Sequence, residues 1–270
     1  MRRCDVTKGG LFSRRATLAA LLGVALLAGC GPVAPGGENK LTGSKAYPTY
    51  RYRLTVEVAT PQGVRSGSSV IEVRTARAGD LAIVSPRALS SSARGEAVAV
   101  DLPGGQILFA LLRSDTNSEW AKGGFEQLAA VTPIKEAEKM DDEYGARSAR
   151  VLLLKGPQVL PRQAPFAVSR GAKPTDPPTA YPMLVRFRDI ADPKSVERVD
   201  PDALAKSFGP GTTLRSITVE RTEDAVTTGI ARRLPRADAK GFYNWDGQSN
   251  PSDPANTVLM TTDFMQGLRR

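Results

Sequence analysis

The chain predicts an α+β, β-rich fold, mostly antiparallel sheet with a few short helices, preceded by a signal peptide and a flexible tether. Three stretches carry that expectation. Tyr50, Tyr52, Leu54, Val56 and Val58 alternate with Arg51, Arg53, Thr55 and Glu57, the period of two of a strand with one buried face. Ile107-Leu108-Phe109-Ala110-Leu111-Leu112 is apolar at every position, so a strand there has both faces covered and is central. Asp200-Pro201-Asp202, Leu204 and Phe208 one turn apart, and Gly209-Pro210 together punctuate one short helix.

The first thirty residues are read before any of these. Arg2, Arg3, Lys8, Arg14 and Arg15 precede an apolar run from Ala16 to Ala28, and small residues lead directly to Cys30. That is the layout of an export signal. The run has 13 residues, too few for a spanning helix, which needs about 20. Leu27-Ala28-Gly29-Cys30 resembles the lipobox of bacterial lipoproteins, and a second stretch, from Asp192 to Pro235, is similar to proteobacterial lipoproteins of unknown function. The resemblance implies cleavage between Gly29 and Cys30, a diacylglyceryl group on the Cys30 thiol and an acyl group such as palmitate on the new amino terminus. In this family an aspartate after the cysteine favours inner-membrane retention. Gly31 stands there instead, which implies the periplasmic face of the outer membrane. Ser13-Arg14-Arg15-Ala16-Thr17-Leu18 also resembles a twin-arginine signal but lacks its usual aromatic at Thr17.

Processing changes the composition that matters. The full chain has 37 Lys and Arg against 28 Asp and Glu, a net +9; residues 1–29 remove five cations and one carboxylate, leaving +5 on 241 residues. A mild excess without a dense basic run gives no argument for nucleic acid. Cys4 leaves with the signal and Cys30 is consumed by lipid, so no disulfide is expected in an oxidising compartment. The chain has no histidine. Histidine-dependent triads, cysteine–histidine pairs and the usual zinc sites are thereby excluded, and no cofactor or metal is expected.

In chain order, residues 30–46 read as a lipidated tether. Residues 47–156 read as a β-rich lobe with a helical insertion. Thr60-Pro61-Gln62-Gly63 turns the first strand into a second over about 68–75. Residues 81–84 suggest a short strand and 85–95 an irregular segment. Pro103-Gly104-Gly105 joins strands at 97–102 and 106–113. Asn117 caps a helix with Trp120, Gly124, Leu128 and Val131 on one face; 136–144 reads as a surface helix and 151–155 as a buried strand. Asp141-Asp142-Glu143 lacks the spacing of a calcium loop. Seven prolines between 157 and 182 make a connector. Residues 183–270 form a smaller α+β lobe with a C-terminal tail: a strand at 183–188, the helix opened by Asp200, and a hairpin of strands at 214–222 and 226–234.

Two places in the body could carry chemistry. Asp189, Asp192, Asp200 and Asp202 lie close in sequence, and glycoside hydrolysis needs paired carboxylates; each also fits a turn or cap, and no catalytic residue is assigned. Gly241-Phe242-Tyr243-Asn244-Trp245-Asp246-Gly247-Gln248 sets three aromatics among amides and an acid. Phe242, Tyr243, Trp245 and Asp246 could contact a sugar, or could anchor the terminal loop in the core. The function expected is a non-catalytic binding or scaffolding module, membrane-anchored by lipid, for an envelope protein or polysaccharide. The alternative is an enzyme acting on cell-wall polymer through carboxylates.

Overall fold

A computed structural model describes residues 38–39, 43–79, 88–131, 150–163, 180–236, 242–243 and 259–267. The protein is sheet-rich, with antiparallel sheets and few short helices. Its strands are β1 Glu38–Asn39, β2 Ser44–Ala46, β3 Tyr50–Thr60, β4 Gly63–Arg77, β5 Leu89–Glu96, β6 Val98–Asp101, β7 Ile107–Ala110, β8 Gln158–Val159, β9 Leu184–Phe187, β10 Val196–Arg198, β11 Thr213–Arg221, β12 Phe242–Tyr243, β13 Leu259–Met260 and β14 Met265–Gln266. Its helices include α1 Trp120–Val131, α2 Leu204–Phe208 and α3 Thr261–Phe264.

β3 and β4 form a long hairpin whose register runs from Thr60↔Gly63 to Tyr50↔Val73. Pro61-Gln62 makes its two-residue turn. Gly63 takes φ 104° there, and the Thr60 hydroxyl donates to the Gly63 carbonyl at 2.7 Å. β11 lies on the other side of β3, followed by β8, while β2 and β5 pair with β4. The smaller sheet has the order β10-β9-β7-β6.

The two sheets pack face to face through one core. Tyr50, Tyr52, Leu54, Val56 and Val58 of β3, Ile71 and Val73 of β4, and Ile217 and Val219 of β11 meet Val98, Val100, Leu108, Ala110 and Leu184 of the small sheet. On the opposite face of the small sheet a second core holds Phe109, Leu111, Met183, Val185 and Phe187, closed by Ile230, Leu259 and Phe264. The rings of Phe109, Phe187 and Phe264 stand 5.8–5.9 Å apart, two of the three contacts being edge-on, a favourable aromatic geometry. The apolar run at 107–112 thus divides by parity between two cores, which is why it is apolar at every position.

Gly67 sits where β4 crosses β6. A Cβ there would lie 2.9 Å from the Ala99 carbonyl carbon and nearer still to its oxygen, so only glycine allows the sheets to approach this closely.

α1 docks on the end of β3. Phe125 packs against Tyr52 at 5.4 Å between ring centroids and Tyr50 at 6.2 Å, and the Tyr52 hydroxyl donates to the Ala121 carbonyl at 2.9 Å. Burial pushes the Tyr52 phenol well above its usual range. Burial does the same for Tyr50, with the neighbouring Glu126 adding to it. Asn117 stands just before the helix, where its side-chain oxygen accepts from the Glu119 N–H at 2.8 Å. The Gly123-Gly124 pair separates two constraints. A Cβ at Gly123 meets nothing within 4 Å, whereas one at Gly124 lies 2.9 Å from the Trp120 ring, whose Nε1 donates to the Ala180 carbonyl. Gly123→Ala is expected to stabilise the protein by about 0.5–1 kcal/mol by relieving helix entropy. Gly124→Ala is expected to cost about 1–2 kcal/mol through overpacking. Paired urea titrations read both, and the same sign for the two would refute this packing.

Several expectations are corrected. Residues 30–46 are not tether throughout, since β2 pairs with Arg77 and Ala76 of β4 and β1 pairs with β2. The segment at 85–95 contains β5, whose serines hide its strand character; Ser91 and Thr75 hydroxyls meet at 2.9 Å across the ladder. Residues 150–153 are helical rather than a strand, the ambiguity of any short apolar run. The helix expected at Asp200 begins at Leu204, because Asp200-Pro201-Asp202 forms a turn in which the Asp200 carboxylate accepts the Asp202 N–H at 2.9 Å. Its stop falls at Gly209, with φ 94°, and Leu204 and Phe208 face the first core. Residues 226–234 are not a hairpin partner of β11. They are irregular up to a 3-10 turn at Ile230–Arg233, since their backbone bonds to Val70 and Glu96 instead. Residues 47–156 and 183–270 are not separate lobes, because β9 pairs with β7 and β11 with β3. Val33–Arg270 is one compact unit. The segments expected at 81–84 and 136–144, the acidic turn at 141–143 and most of the proline-rich connector lie outside the described residues.

Candidate functional site

Gly29, Cys30, Trp245 and Asp246 also lie outside the described residues. Phe242 and Tyr243 form β12, whose backbone pairs with Met260 and Leu259 of β13. Leu259 is fully buried in the second core, so the aromatic stretch is joined by its main chain to the segment that closes that core.

The four aspartates are each engaged locally. Asp189 accepts the Ala191 N–H at 2.9 Å, Asp192 the Lys194 N–H at 2.8 Å, and Asp200 the Asp202 N–H. These are side-chain-to-backbone turns that fix a loop. Asp202 instead pairs with Arg162, whose Nε and Nη2 reach one carboxylate oxygen at 3.0 and 2.9 Å. The hydrogen bond to Asp202 raises the Arg162 guanidinium further above its usual value.

Arg162 belongs to a cluster that the residue pattern did not reveal. Its guanidinium lies 5.5 Å over the Tyr181 ring. Beside it, Asp115 pairs with Arg198. Burial pushes the Asp115 carboxyl above its ordinary range, opposed by the charges of Arg198, Arg162 and Arg113; its Oδ1 is buried without a hydrogen-bond partner among the described residues. The cluster draws on the turn after β7, the segment after β8, the end of β10 and the turn before α2. Only a polar interruption after an apolar run, Arg113-Ser114-Asp115-Thr116-Asn117, marks it in the sequence. Arginine–carboxylate pairs of this kind fix loops together with good geometry. No group of three metal-ligating side chains occurs among the described residues.

A third polar region lies on the outer face of the large sheet, where the segment after β11 crosses like a strap. The Thr222 N–H donates to the Arg51 carbonyl, and the Arg51 guanidinium reaches the carbonyls of Glu223 and Asp224. Arg53 pairs with Asp224. Hydrogen bonding from the Thr222 hydroxyl, then the charge of Arg53, holds Asp224 below its usual range. Farther on, Thr227 exchanges bonds with Val70 in both directions, and the Ile230 N–H donates to the buried Glu96 carboxylate at 2.8 Å. Beneath the strap, Glu72 is almost fully buried between Arg51 and Arg74, at 2.8 and 2.7 Å. Burial alone would raise its carboxyl, but hydrogen bonds from the two arginines outweigh that and leave it lowered.

Compared with known proteins, the chain matches no family model, no curated protein and no solved structure.

Proposed function

We propose that the protein is a lipid-anchored module of the bacterial cell envelope, held on the periplasmic face of the outer membrane, that binds or scaffolds an envelope protein or a polysaccharide without catalysis. The observation that carries the reading is the lipobox Leu27-Ala28-Gly29-Cys30 behind a basic n-region and a 13-residue apolar run. Two or three acyl chains on Cys30 make attachment durable where one would be marginal. The engagement of Asp189, Asp192, Asp200 and Asp202 in turns and an ion pair gives each a structural role, which supports binding over carboxylate chemistry.

Labelled fatty acid supplied to cells expressing the wild type is expected to mark the protein, and Cys30→Ser is expected to abolish the mark and leave the signal uncleaved. Retention of label by the variant refutes the anchor. The binding reading is tested by crosslinking in cells and copurification: enrichment of one envelope component supports it, and recovery of the protein alone overturns it.

A further inference from the structure

The chain joins the large sheet at one end. Seven residues, 31–37, separate Cys30 from Glu38. β1 pairs with β2, and β2 places Lys45 opposite Arg77 and Ala46 opposite Ala76 of β4. The opposite end of β4 is the Pro61-Gln62 turn. From Cys30 to Glu38 a chain can extend at most about 29 Å, whereas β4 alone runs about 46 Å from Gly63 to Arg77. A lipid on Cys30 therefore keeps the Arg77 end of the sheet within short reach of the bilayer.

That end is cationic. Arg74 lies opposite Ser92, and Arg94 opposite Glu72, so Arg74 and Arg94 are diagonal neighbours on the outer face. Arg74 keeps 66 % of its side chain exposed although it also binds Glu72, and Arg94 is exposed with no carboxylate at ion-pair distance among the described residues. Arg77 and its partner Lys45 do not share that face: by alternation along β4 they lie on the side of Ile71 and Val73, where the Lys45 ammonium sits 5.2 Å over the Tyr47 ring. The described carboxylates nearby are committed: Glu72 to Arg51 and Arg74, Glu126 to the Tyr50 hydroxyl, Asp224 to Arg53 and Glu223 to Arg221. Serines at 90 and 92 keep the intervening surface small and polar.

We propose that Arg74 and Arg94 form a membrane-docking surface that rests on anionic phospholipid headgroups beside the lipid anchor, with the Pro61-Gln62 turn directed away from the bilayer. The proposal deepens the lipid-anchored reading and rests on it. The patch supplies the second, electrostatic contact that orients a body whose acyl chains alone would leave it free to turn. Because the contact is between exposed charges, it is weakened by salt.

Arginine footprinting of the mature protein isolated from membranes tests this. The protein is reconstituted into phosphatidylcholine vesicles, or into vesicles with about a third phosphatidylglycerol, and treated with an arginine-specific dicarbonyl before mass spectrometry. Arg74 and Arg94 are expected to react at least fivefold more slowly on the anionic vesicles, an effect lost in high salt. Arg65 and Arg215, toward the other end, should change less than twofold. In the Arg74→Gln variant the protection of Arg94 on the anionic vesicles should fall by at least half. Equal rates on both vesicles, or protection of Arg65 and Arg215 instead, overturn the docking surface. The amino-terminal peptide of the same digest reports the anchor separately. An acylated Cys30 with equal rates removes the patch and keeps the anchor; an unmodified Cys30 with charge-dependent protection removes the anchor and keeps the patch.

Discussion

Gly67→Ala is expected to lower the stability of the protein by about 3 kcal/mol, near the upper end of what one added methyl costs in a packed interior. The added carbon would press on the backbone carbonyl of Ala99 in β6 and on the Val100 side chain at 3.2 Å. A side chain could rotate aside, but a carbonyl fixed in the β6–β7 ladder cannot. Relief requires the two sheets to move apart where Val56, Val98 and Val100 pack. Urea denaturation followed by tryptophan fluorescence measures the loss, with Gly123→Ala as a matched glycine replacement in open space. A loss below about 0.5 kcal/mol would mean that the sheets do not cross at Gly67.

Arg113→Met is expected to cost about 3 kcal/mol at pH 7, because it strands one partner of a buried ion pair. Arg113 and Asp263 are 9 % and 6 % exposed and approach to 3.7 Å. Asp263 also accepts the Met260 N–H at 2.7 Å and offers its own carbonyl to the Leu112 N–H, so the pair fastens the closing segment to the turn after β7. Burial raises the Asp263 carboxyl above its ordinary value of 3.8, against the pull of the Met260 bond and of Arg113. A carboxyl raised on folding favours the fold while protonated: that contribution is complete below pH 3.8 and is lost as pH rises through the folded-state value. Removing Arg113 raises the carboxyl further and enlarges the loss at neutral pH. The stability difference between wild type and variant should therefore shrink steadily from pH 7 to pH 4. Asp263→Asn in the same background should recover part of the neutral-pH loss, since it removes the stranded charge. A difference that stays constant over this range contradicts the assignment.

What the residues disclose and what they conceal follows from where their partners come from. β3, the hairpin turn at Pro61-Gln62, the doubly buried β7 and the Gly209 stop were legible because their signals are local: alternation, turn chemistry, uninterrupted apolarity. β5 was not, since Ser90, Ser91 and Ser92 read as loop until β4 supplies a strand for them to pair with. The strap at 222–230 failed for the complementary reason. Thr227 and Ile230 look like strand residues, yet their backbone groups are satisfied by Val70 and the Glu96 carboxylate, more than 130 positions away in sequence for both. The prolines between 157 and 182 look like a boundary, but strands on either side of them share both sheets. The same distance hid the candidate site. Asp115, Arg162 and Arg198 are ordinary surface residues in sequence and acquire significance only when four separate segments converge. The stretch Leu27-Ala28-Gly29-Cys30, which resembles a lipobox, is the reverse case, a pattern complete within four residues.

The interleaving of the two sheets has a temporal side. β3 cannot find β11 until some 150 further residues have been made, and the second core lacks Phe264 until almost the last of the chain is available. Contacts of such long sequence separation make for slow folding, because loop closure precedes any reward from pairing. Until then the apolar faces of β7 and β9 stand uncovered. Until those later strands are made, the incomplete sheets are open to aggregation.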